Sequence, residues 1–356
     1  MFLLVLIIIF IFGSSTTILS DIPDITAKGT GLKLEEGKAI KEKLSVSFAD
    51  PEMLFPSEEI TVIPAFSKFF LEADHILGSN SKAQEISILS KTRMEKLLIA
   101  ATIEIEDFAY RNGLIYLLAY REAGPGIMIL DREGNILSQF PLVRTPPGMT
   151  SIAVDSKGNI YHNNPSLPEG IITVYDSFGR VKKIFGKHLP EKYFASMKLL
   201  NRVVLCVDGN DHLILAFRFN PIVRKYDSNG ELLFEQELSC KEILQRAKTE
   251  KDAYPERFTL TDDGRVKIRA FTYFTSVACD AKNNIYLKFG PESLIFRLDK
   301  EGLLNEKLLL IHGEDSIEDF DFWESSIVVR EGFLYFPRER EGSESFGSIL
   351  KYKLHK

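Results

Sequence analysis

Short runs of alternating apolar and polar residues, broken by tight polar turns, recur along most of the chain. The clearest stretch reads as four strands, at 151–155, 159–161, 171–175 and 180–185. Ile172 and Val174 alternate with Thr173 and Tyr175, the two-residue period of a strand with one buried face. Between the strands stand Asp155-Ser156-Lys157-Gly158 and Asp176-Ser177-Phe178-Gly179. A glycine after such a polar run supplies the positive φ that a tight hairpin needs.

The same pattern repeats. One phrase is a polar turn followed by an apolar group that mostly ends in Tyr. It occurs as Gly113-Leu114-Ile115-Tyr116, Gly158-Asn159-Ile160-Tyr161, Asp211-His212-Leu213-Ile214, Asn283-Asn284-Ile285-Tyr286 and Gly332-Phe333-Leu334-Tyr335. A weaker copy is Ser67-Lys68-Phe69-Phe70, and the spacings are 46, 45, 53, 72 and 49 residues. A second phrase follows, a strand, Asp-x-x-Gly and another strand, at Asp131/Gly134, Asp176/Gly179, Asp227/Gly230 and Asp299/Gly302. Four-stranded antiparallel units at this period predict a β-propeller, because one such sheet buries both faces only when others stack against it. Six units are legible, so the expected fold is a six-bladed, all-β propeller.

The phrases TPPGMTSIAVDSKGNIY and ITVYDSFGRVKKIFG resemble those of NHL-repeat and related six-bladed propellers. The resemblance covers roughly residues 43–354, strongest in the third unit. It implies the fold and little about activity, since such propellers include lyases, lactonases, ligand sensors and scaffolds. NHL units usually carry Asp three residues beyond the Ile-Tyr pair; here those positions are Ala119, Asn164, Phe217, Phe289 and Arg338.

The sixth unit supplies three strands, 322–329, 333–336 and 348–354, and would leave a bare edge. Residues 43–48, KLSVSF, alternate polar and apolar and are expected to fill the place. They precede 60–63, read as the innermost strand of the first unit. The propeller is thus assigned to 43–356, with 21–42 as a linker. Residues 2–12 are eleven unbroken apolar residues followed by Gly13, Ser14 and Ser15. That is half the length of a membrane span and fits a signal peptide or short anchor over 1–20. The expectation is export, periplasmic or secreted, with no stable membrane span after processing.

With strands named a to d from the axis outward, the a–b and c–d turns lie on one face of the ring. The b–c loops and d–a connections lie on the other, and they are the longer and more varied set. Function gathers on such loops. The 72-residue spacing marks an insertion at 239–270 between the fourth and fifth units. Ser239 and Glu242 suggest a capping box, with Ile243, Leu244 and Ala247 as the apolar stripe of a helix. A hairpin around Asp263-Gly264 follows. The candidate binding residues of this face are Arg121, His162, Asn163, Arg218, Lys288 and Arg338, with Arg340 beside the last. Converging cations would focus a positive potential and draw an anionic ligand or an acidic protein partner. Asp74 and His75 are also read into a b–c loop. Together with His162 and Asn163 they support the alternative, a lactonase-like metal-dependent hydrolase or lyase with an axial site.

Composition narrows the rest. Lys+Arg is 44 against 50 Asp+Glu, a net charge of −6, which argues against nucleic acid as a partner. With 45% hydrophobic residues the chain has material for a large core. There is no nucleophile elbow, phosphate loop or Cys-x-x-Cys, so no catalytic residue, metal site or cofactor is assigned. Of the three cysteines, Cys206 and Cys279 fall in innermost strands one residue out of phase, which predicts opposite faces of their blades and no bridge between them. The leading expectation is a non-catalytic scaffold that binds a small ligand or protein partner through its loop-rich face.

Overall fold

The computed structural model describes residues 52–53, 68–72, 75–80, 85–89, 94–98, 103–142, 151–190, 198–253, 258–260, 266–268, 270–290, 294–309, 326–339 and 347–354. The propeller lies within the compact unit Ile40–Lys356. It consists of six four-stranded antiparallel blades, each in the order a-b-c-d. The third blade is built of Ile152–Val154, Ile160–Asn163, Ile172–Tyr175 and Val181–Phe185, as its alternation requires. The six apolar clusters coincide with the six seams between blades. Leu205 and Leu215 of the fourth blade, for example, pack on Tyr161 and Ile172 of the third. Phe69 and Ile76 of the first pack on Tyr335 and Ile349 of the sixth. Each sheet therefore buries both faces against its neighbours. Among the described residues no helix is long and apolar enough to cross a membrane.

The ring is closed by an N-terminal strand, Glu52–Met53, on the outer edge of the sixth blade, with Glu52 opposite Lys351 and Met53 opposite Leu350. Residues 43–48, expected in that place, lie outside the described residues. The first blade is framed one strand later than the repeat suggests. Lys68–Glu72 is its innermost strand, and His75–Asn80 is its second. Ser67-Lys68-Phe69-Phe70 imitates the opening of a second strand because any strand leaving a polar turn shares that pattern. Residues 60–63 lie outside the described set.

Polar ties on the loop face link neighbouring blades around the axis. Lys68 pairs with Asp107 at 2.7 Å, and the other oxygen of Asp107 accepts the Ile152 N–H. Ser151 donates to the Val203 carbonyl, and Val203 N–H donates to Asn163. Tyr273 N–H donates to the Arg218 carbonyl. Ser276 accepts from Ile327 N–H, and Ser326 from Phe69 N–H, completing the circuit.

Between the fourth and fifth blades stand the helix Lys241–Ala253 and the hairpin Phe258–Leu260 with Val266–Ile268. Leu244 donates its N–H to the Cys240 carbonyl, so Cys240, not Ser239, is the N-cap. Glu242 is drawn instead to Lys307 at 2.9 Å. The expected stripe is also displaced. Leu244 is 59% exposed, and Ile243 and Glu250 are the buried helix residues. Glu250 accepts from the Tyr273 hydroxyl and the Phe271 N–H, and Arg246 lies over the rings of Phe271 and Phe289. The helix is thus seated on the fifth blade by charged groups that bond to it.

Candidate functional site

On the loop face, the fourth blade carries a cross-strand arginine pair. Its innermost strand is Val203–Val207 and its second strand Leu213–Phe217, with Val203 opposite Phe217. One step further out, Arg218 N–H donates to the Arg202 carbonyl at 2.9 Å, which makes the two arginines the next opposed pair. Like charges directly opposite one another destabilise a sheet. Burial, then the Arg218 charge, depress the Arg202 guanidinium to about 10, and Glu106 opposes the shift. The Arg202 Nε is buried with no acceptor.

Glu106 belongs to the innermost strand of the second blade, Glu104–Arg111. There Ile105 pairs with Ala119 and Asp107 with Leu118, so Glu106 is the extra residue of a β-bulge. Bulges re-aim a side chain out of the ladder. Glu106 bonds to the Tyr120 hydroxyl; burial first, then the Glu106 charge, push the Tyr120 phenol above its ordinary value. Its charge also reaches Arg202, two blades away. These interactions bring two guanidiniums, a carboxylate and a phenol together at the loop-face ends of the second and fourth blades. Guanidiniums supply forked donors that match carboxylate or phosphate oxygens.

Among the sequence candidates with described side chains, Arg218 is the one that this cluster contains. Arg121 points the other way: its Nη1 donates to Gln139 on the outermost strand of the second blade at 2.6 Å. The second strand runs on to Arg121, and from its end the guanidinium crosses the blade toward the rim. His162, Asn163 and Lys288 are fully enclosed. Asn163 is consumed by backbone, donating to the Ile171 and Asn201 carbonyls and accepting from Val203. Lys288 sits in the second strand of the fifth blade, with its ammonium over the Phe336 ring. His162 occupies a core position, in register with Thr173 and equivalent to Leu215 and Leu287 in later blades. Neither of its ring nitrogens has a partner, and burial depresses its pKa to about 3. Arg338 lies on the second strand of the sixth blade opposite Ser348. Asp74 and Arg340 lie outside the described residues.

His75 opens the second strand of the first blade, opposite Glu72, and so belongs to the turn face. His162, near the far end of its strand, lies toward the loop face. The structure does not bring the two together. Among the described residues no three His, Cys, Asp or Glu side chains converge where a metal ion could sit.

Farther out on the loop face is a pocket of about 540 Å³ lined by Pro168, Glu169, Gly186, Lys187, His188 and neighbours. Burial holds the His188 imidazole below its ordinary pKa, against a bond to the Pro165 carbonyl, and Nε2 is left without a partner. Sequence reasoning passed over His188, Arg202, Glu106 and Tyr120. The available signal was position: Arg202 directly precedes an innermost strand and Arg218 directly follows the next.

The chain matches no protein-family model and no curated protein. Among solved structures it is similar to a streptogramin B lyase at 14% identity and TM-score 0.50, over 86% of this chain and 87% of that one. It is also similar to a Bacteroides thetaiotaomicron protein of unknown function at 11% identity and TM-score 0.51, over 85% and 72%. At these identities the likeness establishes the propeller fold.

Proposed function

We propose that the protein is a non-catalytic, exported propeller of NHL-like type that binds a small anionic ligand at the loop-side mouth of its axis. Arg202 and Arg218 are the anchoring donors, and Tyr120, tied to Glu106, limits the site to ligands that tolerate a nearby carboxylate. One observation carries the reading: two half-buried arginines are held opposite each other on a rigid sheet, and the Arg202 Nε has no acceptor, so forked donors stand ready for one anion. The alternative, a metal-dependent hydrolase or lyase, has the fold likeness to a streptogramin B lyase behind it, and the histidines it draws on stand toward opposite faces. Export rests on residues 2–12 and is tested by fractionating cells that express the full chain.

Titration calorimetry with citrate and with inorganic phosphate, on wild type, Arg202→Gln and Arg218→Gln, tests the site. Wild type should bind at least one of these probes, more weakly as salt is raised. Either substitution should lower the affinity by about tenfold, the scale of a lost charge-assisted hydrogen bond. Equal affinity in all three proteins would refute the assignment.

A further inference from the structure

The fourth and fifth blades meet through two thiols. Cys206 Sγ and Cys279 Sγ are 3.3 Å apart, on the innermost strands Val203–Val207 and Phe274–Cys279. The one-residue phase difference, which predicts opposite faces, is correct in itself. Its consequence is reversed by the ring. Neighbouring blades turn opposite faces toward their shared seam, so residues out of phase by one are the ones that meet.

Three other seams fill this place with an alanine and a valine. Ala109 shares a cluster with Val154, Ala153 with Val207, and Ala278 with Val329. In each pair the alanine lies opposite the second-strand residue at the Tyr116, Tyr161 or Tyr286 position, and the valine lies opposite the residue one before that position in the next blade. At the fourth seam the same two positions hold Cys206 and Cys279, so both members of an Ala/Val pair are replaced together by residues that can bond to each other. Two independent small-for-small replacements would not be expected to fall on facing positions of one seam.

We propose that Cys206 and Cys279 form a disulfide across the seam of the fourth and fifth blades, making this pair a redox modification site. A bond of about 2.05 Å requires the two sulfurs to close by a little over an ångström. Both thiols are half-buried, and Cys279 is the one whose proton is held by its partner, so Cys206 starts the exchange. Its thiolate attacks a disulfide donor such as oxidised glutathione, giving a mixed disulfide and one released glutathione thiolate. Cys279 then loses its proton and displaces the second glutathione. Two protein thiols and one donor disulfide become one protein disulfide and two donor thiols. The hydrogen bond to Cys206, then burial, hold the Cys279 thiol well above its ordinary pKa, and the Lys225 charge favours its thiolate. That order suits a resolving group. Cys240 stands at the start of the insertion helix, at the loop-face end of its blade, whereas Cys206 and Cys279 lie by the a–b turns. The bridge would tie together the two ends of the segment that carries the helix and hairpin.

The test equilibrates the full chain in glutathione buffers from reducing to oxidising. It is then quenched by alkylation under denaturing, non-reducing conditions and mapped by peptide mass. The expected product links the peptides of Cys206 and Cys279, leaves Cys240 alkylated, melts at a higher temperature than the reduced protein and reverts with dithiothreitol. A double variant, Cys206→Ala with Cys279→Val, reproduces the pair found at three other seams and should fold with a redox-independent melting temperature. Three alkylated cysteines at every ratio, a link through Cys240, or glutathione retained on Cys206 without a bridge would each overturn the proposal. So would a double variant that keeps the wild-type redox shift.

Discussion

The two faces of the ring use charge in opposite ways. On the turn face nearly every polar group is answered within its own hairpin or by the next one. Asp176 accepts from the Phe178 and Arg180 N–H groups, and Asp227 and Asp299 repeat the pattern. Backbone N–H donors from Glu231 and Asn229 hold the Asp227 carboxyl below its ordinary pKa. Asp211 and Asn283 take left-handed φ values of 61° and 64°. In return their side chains reach the preceding blade, at Ser156 and Gly209. On the loop face the backbone ties are equally complete, yet Arg202 faces Arg218 and His162 is shut in with no partner. The turn face is a fastening, and the loop face keeps the Arg202 Nε without an acceptor, the donor that a ligand could answer.

The largest test of this contrast is on the fastening side. Gly179 has φ of +81°, and a Cβ there would stand 2.4 Å from the Phe140 ring of the neighbouring blade. Gly179→Ala therefore meets both backbone strain and overpacking, and should cost about 2–4 kcal/mol in urea unfolding without changing anion affinity. Gly113→Ala is the control. Its φ is +79° with nothing within 4 Å, so only the strain of about 1 kcal/mol applies. Equal losses at the two sites would break the claim that the turns lock the seams.

The next test concerns His162. Its pKa is about 3 in the fold and near 6.5 unfolded, so the unfolded chain takes up the proton first. Its contribution is fully present above pH 6.5 and is lost as pH falls toward 3, at about 1.4 kcal/mol per unit. His162→Leu, which copies Leu215 and Leu287, should remove this loss and gain about 2 kcal/mol relative to wild type near pH 5. A wild-type slope retained in the variant would show that His162 is not the titrating group.

The smallest effect is the most pointed. Arg202→Gln relieves a like-charge pair and should stabilise the free protein by about 0.5 kcal/mol at low salt, even as it weakens anion binding. A variant that loses both stability and binding would recast Arg202 as a structural residue and erase the distinction between the faces.

The sequence by itself determined the repeat, the number of blades, the four strands in each and the turn chemistry between them. These are local matters: period-two alternation and positive-φ residues act over a few neighbours, so they are written in the order of the chain. It also determined that the longer loops share one face, because antiparallel strands leave no other choice. The frame of the first blade was lost where its turns departed from the Asp-x-x-Gly pattern. Which side chains meet was decided only by the ring. Arg121 and Arg218 stand one residue apart in the repeat, where Arg218 aligns with Tyr120; the longer strand of the second blade carries Arg121 toward the rim, while Arg218 is held opposite Arg202. Cys206 and Cys279 were read as strangers because their phases differ, and closure of six twisted sheets turned that difference into contact. Phase within a strand is a property of one blade; a seam belongs to two, and its pairing exists only after they stack.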